Sequence, residues 1–189
     1  MLKFAFMSMI RLATTDDSDP ILKIYAPYIE NTSYTFETEV PTIDSFKERI
    51  SHYQENWPWL VCEIGGVVAG YAYGSRHRER VAYQWSVECS VYVHDNYQRR
   101  GVARALYTAL INILKLQGFR NLYAVINLPN DKSVSFHEKV YVSSCNIRIE
   151  NEQAGAHHFS NPNSFLPRSS STAAEYFVCS HLRGSPGNA

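Results

Sequence analysis

SVYVHDNYQRRGVA, residues 90–103, joins an apolar alternating run to a strong helical pattern through a polar turn with one glycine. The alternation predicts a strand, and the apolar spacing after Gly101 predicts a helix. The first N–H groups of a helix have no partner within it, and together with the positive end of the helix dipole they attract phosphate. Gly101 lacks a Cβ, so the backbone can approach an anion closely there. The stretch therefore suggests a cofactor that carries a pyrophosphate.

The spacing of this loop differs from that of the common nucleotide-binding loops. A Walker A loop requires a Lys directly after its last glycine, whereas Val102 follows Gly101. A dinucleotide fingerprint requires three glycines, and this loop has one. The pattern that remains is Gln-x-x-Gly-x-Ala, from Gln98 to Ala103. An ordinary strand-to-helix turn that needs one glycine is the structural alternative.

The composition is that of one globular domain. The chain has 189 residues, of which 45% are hydrophobic and 19% are charged. Lys plus Arg and Asp plus Glu both number 18, so the net charge is zero. This balance argues against nucleic acid or an anionic membrane as the main partner. No apolar run approaches the roughly 20 residues that a membrane-spanning helix needs.

Cysteine usage predicts free thiols. The four cysteines show no Cys-x-x-Cys spacing; they are Cys62, Cys89, Cys145 and Cys179. We expect buried free thiols in a reducing compartment, which favours a cytoplasmic protein. We expect no metal site, because the adjacent pair His157 and His158 has no Cys or acidic partner at ligand spacing.

Hydrophobic periodicity predicts an order of strands and helices along the first 140 residues. Gly65-Gly66 between two β-prone runs is a hairpin signal. The expected strands cover 10–14, 59–64, 67–73, 83–93 and 122–126, with a further β-prone extended segment at 33–39. The expected helices begin near Pro20 and at 41–42, cover 103–116, and run from an Asn130 cap to about Lys139. This order predicts a mixed α/β (α+β) layer fold.

The character of the sequence changes after Lys139. The last 50 residues are rich in Ser, Asn and His. The run 141–149 is a candidate strand, and beyond residue 150 we expect irregular structure. We therefore predict a domain over residues 9–149 and an atypical tail over 150–189.

Four separate motifs, taken together and in their order along the chain, restrict the possible protein families more than the glycine loop alone does. They are Ser33-Tyr-Thr-Phe-Glu37 before Pro41, the run 85–93 (WSVECSVYV), the loop 98–104, and the segment 127–139 (NLPNDKSVSFHEK). Over about residues 9–139 the chain resembles the phosphinothricin acetyltransferase branch of the GCN5-related N-acetyltransferases (GNAT). The resemblance implies a central, mostly antiparallel twisted sheet that is flanked by helices and splayed at the cofactor site. It also implies a homodimer, and acetyl transfer from acetyl-CoA to the amine of a small amino-acid-like acceptor of the phosphinothricin or methionine sulfoximine type.

Two side chains carry the expected proton transfers. Glu88 interrupts an apolar strand run, and the resemblance implies that it is the general base that deprotonates the acceptor amine. His137 occupies the position of a Tyr that protonates the departing thiolate in many relatives, and an imidazole is suited to this role. A backbone N–H near Val91 would hold the oxyanion.

The resemblance also implies the binding residues. Those expected to bind acetyl-CoA are Val91, Tyr92, Val93, Gln98, Arg99, Arg100, Gly101, Val102, Ala103, Arg104 and Asn130. For the acceptor we expect Phe36 over its side chain, Arg80 paired with its carboxylate, and Tyr83 nearby. Solvent-exposed loop charges are the alternative for the arginines, and a helix cap is the alternative for Asn130.

The sequence departs from the branch where its helix ends. Val140-Tyr141-Val142 stands where the branch has a Gly-Phe pair, and no Trp follows Trp85, although the branch has a Trp-rich end. A diverged tail and a change of reading frame both explain this departure, and our hypothesis is the frame change. Two other functions stay open: acetylation of another amine (a protein N-terminus or a polyamine), and acyl-CoA binding without turnover. The zero net charge favours a small zwitterion over a polycation.

Overall fold

The computed structural model describes residues 8–140, 145–151 and 174–181, and all structural statements concern these residues. The strands are β1 (Ser8–Leu12), β2 (Trp59–Ile64), β3 (Val67–Arg76), β4 (Ser86–Val93), β5 (Asn121–Leu128), β6 (Cys145–Asn151) and β7 (Ala174–His181). The helices are α1 (Ser18–Asn31), α2 (Ile43–Gln54), α3 (Val102–Leu116) and α4 (Asp131–Val140). None of the described helices is long and apolar enough to cross a membrane.

The described strands form one sheet in the order β1-β2-β3-β4-β5-β7-β6. Neighbouring strands are antiparallel except for β4 and β5, which run parallel. A parallel pair requires a crossover connection, and α3 supplies it. The predicted mixed fold with a mostly antiparallel sheet is confirmed.

The parallel pair separates early. Only Ser86, Val87 and Glu88 of β4 pair with β5, although both strands continue beyond this point. Further along, β4 keeps its pairing with β3 as far as Val93, while β5 pairs with β7 as far as Leu128. The sheet is therefore splayed between β4 and β5, as the resemblance implied.

Two apolar cores lie on opposite faces of the sheet. On one face, Leu106, Leu110 and Leu114 of α3 are fully buried against alternate residues of the central strands. On the other face, α1 and α2 pack over an aromatic cluster that includes Trp59 and Tyr71. Each fully buried Leu side chain contributes about 1.5–3 kcal/mol to folding. Helices on both faces hold the strands rigidly up to the point where they separate.

Local signals explain most element boundaries. Thr42 caps α2 by accepting a hydrogen bond from Ser45 N at 3.2 Å. Asn130 caps α4 in the same way, accepting from Ser133 N at 3.2 Å. Gly118 adopts a φ of 88° just after α3, as expected for a helix-ending glycine. Cys62 and Cys89, the cysteines whose side chains are described, are free and buried, and burial raises the pKa of both thiols.

The segment 33–39 is not a strand, which corrects the prediction from its β-prone composition. Its polar side chains bind helices instead of a neighbouring strand. Thr35 Oγ1 lies 2.6 Å from the hydroxyl of Tyr25 on α1, and Glu37 pairs with Arg49 of α2 at 2.6 Å. These contacts fix the segment as a loop over one face of the sheet.

The C-terminal strands differ from the predictions in two ways. Strand β6 covers Cys145–Asn151, whereas the prediction was 141–149, and residues 141–144 lie outside the described part. Strand β7 lies within the segment for which irregular structure was expected, and it pairs with β5 along eight residues. The boundary between the domain and the tail stays a prediction.

Candidate active site

The splay leaves one edge of β4 open. Alternate residues of a strand direct their N–H and C=O groups to the same edge, and the carbonyl of Trp85 points towards β5, where it accepts a hydrogen bond from Asn121 N at 3.1 Å. Cys89, Val91 and Val93 therefore face the opening. The Tyr107 hydroxyl donates to Cys89 O at 2.9 Å, which confirms the direction of that carbonyl. The N–H and C=O of Val91 point into the opening, and its contact with acetyl-CoA stays a prediction.

Tyr92 corrects part of the predicted set. It lies opposite Tyr71 of β3 and alternates with Val91, so its backbone groups face β3 instead of the open edge. Its side chain packs edge-on against Tyr25 and Tyr28 of α1 at 5.0 and 5.1 Å. Tyr92 thus builds the aromatic core, and a direct backbone role with the cofactor does not fit its register.

The loop after β4 presents backbone N–H groups at the start of α3. The first intrahelical hydrogen bond runs from Ala105 N to Gly101 O at 3.0 Å, so the N–H groups of Val102, Ala103 and Arg104 point out of the helix end. Arg99 and Gly101 have left-handed φ values of 60° and 84°. Left-handed residues in such a loop turn successive N–H groups towards one concave side, which suits an anion. The loop therefore fits the pyrophosphate of acetyl-CoA.

The side chains of this loop surround the helix end with positive charge. Arg99, Arg100 and Arg104 are all exposed, and the Arg100 guanidinium lies 5.4 Å from the centre of the Tyr97 ring. The Gln98 amide donates to Asp95 Oδ1 at 2.7 Å, which closes the turn before the loop. Exposed arginines around a hydrogen-bonded turn are compatible with both the functional and the solvent-exposed interpretation of these charges.

Glu88 lies at the point where β4 and β5 separate. It is opposite Ser75 of β3 and Tyr123 of β5, and its side chain is 29% exposed. Its neighbours Val87 and Cys89 are buried against α3, so Glu88 faces the α1 and α2 side of the sheet. A partly exposed carboxylate at the mouth of an opening between strands can accept a proton from a bound molecule.

The structure adds His77 to the site. His77 Nδ1 lies 2.9 Å from Glu88 Oε1, and its side chain is only 6% exposed. We did not predict His77, because it stands among exposed charges in Arg76-His-Arg-Glu-Arg80. Strand alternation could have found it: with Tyr73 and Ser75 on the face of Glu88, His77 follows on the same face.

A second cluster lies on the other face, beneath the opening. The Tyr107 hydroxyl of α3 is 2.9 Å from His137 Nε2, and His137 Nδ1 is 2.8 Å from Ser133 O. Because a carbonyl only accepts, Nδ1 carries the proton of the neutral ring. Burial lowers the pKa of His137 to about 4, so the ring is neutral at pH 7 and its Nε2 is an acceptor. The Tyr107 proton therefore lies between two acceptors, Cys89 O and His137 Nε2.

Sequence reasoning selected His137 and missed Tyr107. The spacing of Leu106, Leu110 and Leu114 predicts a core stripe, and Tyr107 adjoins that stripe as one more buried residue. The signal that could have found it is chemical, because a buried Tyr in an apolar stripe usually needs a partner for its hydroxyl.

The predicted acceptor residues are only partly assembled around Glu88. The Tyr83 ring meets the His77 ring edge to face, with the ring centres 5.7 Å apart. Tyr83 is therefore linked to Glu88 through His77. Arg80 is exposed and directly precedes the short 3-10 turn Val81–Tyr83. Phe36 is 61% exposed in the loop between α1 and α2.

Asn127 of β5 ties that loop to the sheet by donating from Nδ2 to Ser33 O. Asn127 lies on the same face as Glu88, because Tyr123 aligns with Glu88 and alternate residues of β5 share that side. The loop that carries Phe36 therefore covers the Glu88 face beside β5.

Comparisons with known proteins agree with this geometry. The family described as "Acetyltransferase (GNAT) domain" matches residues 10–140. Phosphinothricin N-acetyltransferase of Streptomyces viridochromogenes is 40% identical over 150 residues, which cover 79% of this chain and 82% of the relative. An L-methionine sulfoximine/L-methionine sulfone acetyltransferase of Salmonella typhimurium is 30% identical, with 69% and 77% covered.

A solved structure has the same fold. It is a GNAT superfamily phosphinothricin acetyltransferase from Sinorhizobium meliloti in complex with acetyl-CoA, with a TM-score of 0.77 and 24% identity. The alignment covers 95% of this chain and 94% of that one. Since the identity is low, this likeness supports the fold alone.

A splayed sheet with an open β4 edge and a helix N-terminus beside it suits a ligand that pairs with the strand and carries a phosphate, which fits an acyl-CoA-dependent transferase. The chain belongs to the GNAT acetyltransferase family. The expected enzyme class, an acetyl-CoA-dependent N-acetyltransferase, is confirmed by the family match and by the relatives. The match ends at residue 140, where the sequence departs from the branch; the frame change stays a hypothesis.

Proposed function

We propose that this protein transfers the acetyl group of acetyl-CoA to the α-amine of a small amino-acid-like acceptor, such as phosphinothricin or methionine sulfoximine. The observation that carries the proposal is the placement of two proton-handling groups at one opening. Glu88 faces one side of the sheet, and Tyr107 with His137 lies on the other, where β4 and β5 separate. An amine can then approach from one face and a thiol can depart towards the other. The names of the relatives support the acceptor class.

Glu88 is the proposed general base. An α-amine is largely protonated near neutral pH, so it must lose one proton before its nitrogen attacks the thioester carbon. Glu88 accepts that proton and passes it to water, to which its side chain is partly exposed. The C–N bond forms, and the Val91 N–H on the open edge donates to the oxyanion.

Tyr107 is the proposed donor to the leaving thiolate. When the C–S bond breaks, the sulfur takes the proton of the Tyr107 hydroxyl. The nitrogen releases its second proton through Glu88 to water as the amide forms, and the Tyr107 phenolate regains a proton from water once CoA has left. His137 is neutral and its Nε2 is an acceptor, so in this state it cannot give a proton directly. We assign it the task of orienting the Tyr107 hydroxyl at the opening.

The remaining predicted residues bind the two substrates. The N–H groups at the start of α3 and the arginines 99, 100 and 104 hold the pyrophosphate of acetyl-CoA. Arg80 pairs with the carboxylate of the acceptor, and Phe36 covers the acceptor's side chain beside Tyr83. Asn130 has a defined role as the α4 cap, and contact with acetyl-CoA through its amide is part of the proposal.

The test measures CoA release with phosphinothricin, methionine sulfoximine, spermidine and a peptide as acceptors. We expect turnover of the two amino-acid analogues and a loss of about 100-fold or more in Glu88→Gln. Glu30→Gln, an exposed carboxylate on α1, is the matched control and keeps wild-type turnover. Turnover of spermidine or the peptide alone contradicts the acceptor class. Binding of acetyl-CoA without turnover of any amine contradicts the enzymatic role.

The resemblance further implies a homodimer, and cysteine usage favours the cytoplasm. We include both in the proposal. Sedimentation velocity of the full chain tests the dimer, and fractionation of the native cells tests the compartment.

A further inference from the structure

We propose that His77 is a positioning residue that holds the Glu88 carboxylate in its reactive orientation. This proposal rests on the proposed role of Glu88 as general base and adds a residue that acts through it. The contact joins His77 Nδ1 to Glu88 Oε1 at 2.9 Å. An ionised carboxylate only accepts, so Nδ1–H is the donor.

The His77 ring is fixed by two aromatic neighbours. It stacks on the Tyr123 ring with centroids 3.9 Å apart and an interplanar angle of 1°, and Tyr83 meets it edge to face at 5.7 Å. Its side chain is 6% exposed, compared with 29% for Glu88. A donor held by two rings in this way can fix the more exposed carboxylate, because its own rotamer is locked by packing.

The two carboxylate oxygens of Glu88 have different partners in this proposal. His77 contacts Oε1, and its ring stacks on Tyr123, the β5 residue that aligns with Glu88 in the parallel register. Oε2 then remains for the amine of the acceptor. Misplacing a reacting group by about 1 Å can cost about 100-fold in rate, so a fixed carboxylate matters for turnover.

This arrangement also links the base to the acceptor loop. Tyr83 contacts His77, and Arg78 lies over the Tyr83 ring with its guanidinium 5.4 Å from the ring centre. Residues 76–83 are thus linked to Glu88 through the imidazole of His77. A change at His77 should therefore affect the catalytic step and leave the binding of acetyl-CoA unchanged.

Two substitutions separate the hydrogen bond from the packing. His77→Phe keeps a flat ring against Tyr123 and removes the donor. His77→Asn removes the ring but keeps a donor, because Asn Nδ2 is attached to Cγ as Nδ1 is in histidine. His52→Phe, on the exposed side of α2, is the matched control for the change from His to Phe.

The experiment measures kcat, the KM of the acceptor, the Kd of acetyl-CoA and the Tm for these variants and Glu88→Gln. We expect His77→Phe to lower kcat by about 10- to 100-fold with the Kd of acetyl-CoA unchanged. His77→Asn should stay within about fivefold of the wild-type kcat.

Three results overturn the proposal. They are a His77→Phe kcat within about twofold of wild type, an equal loss in both His77 variants, and a loss in His77→Phe that is confined to KM. If Glu88→Gln is inactive while both His77 variants have wild-type kcat, the positioning role fails and the role of Glu88 stands. If Glu88→Gln has wild-type kcat, the role of Glu88 fails first, and the positioning role fails with it.

Discussion

His137 makes the stability of this protein depend on pH in a predictable direction. The side chain is 5% exposed, and burial lowers its pKa from 6.5 to about 4. At pH 5 the folded protein therefore keeps a neutral His137, while the unfolded chain binds a proton there. Because the unfolded state binds more protons, the free energy of unfolding falls as the pH falls from 6.5 towards 4. Well above pH 6.5, at about pH 8, both states are neutral at this residue, and its protonation no longer affects stability.

The magnitude follows from the difference between the two pKa values. One pKa unit corresponds to about 1.4 kcal/mol, so the full shift is worth about 3 kcal/mol once the pH is below 4. At pH 5 the unfolded histidine is almost fully protonated and the folded one is not, which gives a loss of about 2 kcal/mol relative to pH 7.

Urea unfolding at pH 7 and pH 5 measures this loss directly. Other groups also titrate in this range, so the quantity of interest is the pH-dependent loss in wild type minus that in His137→Gln. We expect this difference to be about 2 kcal/mol. His52→Gln, whose side chain is 70% exposed, is the matched control and keeps the wild-type dependence. Equal losses, within about 0.5 kcal/mol, in wild type and His137→Gln would refute the argument that burial keeps this ring neutral.

Two glycine substitutions test backbone positions near the opening. A Cβ on Gly70 would stand 2.9 Å from Tyr92 O and 3.0 Å from Val102 Cγ1. We therefore expect Gly70→Ala to lower the free energy of unfolding in urea by about 1–3 kcal/mol. A loss below about 0.5 kcal/mol would contradict the close contact. Gly101→Ala has open space at its Cβ and a φ of 84°, so we expect it to lose about 1 kcal/mol of stability and to bind acetyl-CoA about tenfold more weakly by calorimetry. Gly66→Ala is the matched control, because its φ of 81° imposes the same strain in a distant hairpin; equal acetyl-CoA affinities in the two variants would show that the Gly101 position does not contact the ligand.

Local sequence patterns were enough for most elements before residue 140 and for the loop between β4 and α3. The alternation in 90–93, the single glycine and the leucine spacing of α3 all act within about 15 residues, and the structure places each where the pattern predicts. The error at 33–39 arose because strand propensity measures fit to a pleated surface. That segment has hydrogen-bonding partners on two helices, and only the tertiary structure supplies them.

The contacts of Glu88 and Cys89 depend on strand pairing, of which the sequence pattern gives only a part: alternation places His77 on the face of Glu88, and the register brings the two side chains together. His77 reaches Glu88 because Ser75 lies opposite Glu88 in the β3–β4 pairing. A shift of one residue would turn His77 to the other face. Tyr107 was not selected for a similar reason, since its hydroxyl reaches the carbonyl of Cys89 only where the two strands separate.

Only a short part of the open edge of β4 is uncovered. An unpaired strand edge normally invites pairing with another strand, and proteins usually cover such edges. Here two phenols cover it from opposite ends: Tyr107 donates to Cys89 O at 2.9 Å and Tyr28 donates to Val93 O at 3.0 Å. Val91 lies between them on the same edge. On that side, none of the described residues forms a hydrogen bond with Val91. The two tyrosines thus leave room for one short extended segment at Val91, and under the proposed function this is the part of the edge with which the acyl-pantetheine arm of acetyl-CoA would pair.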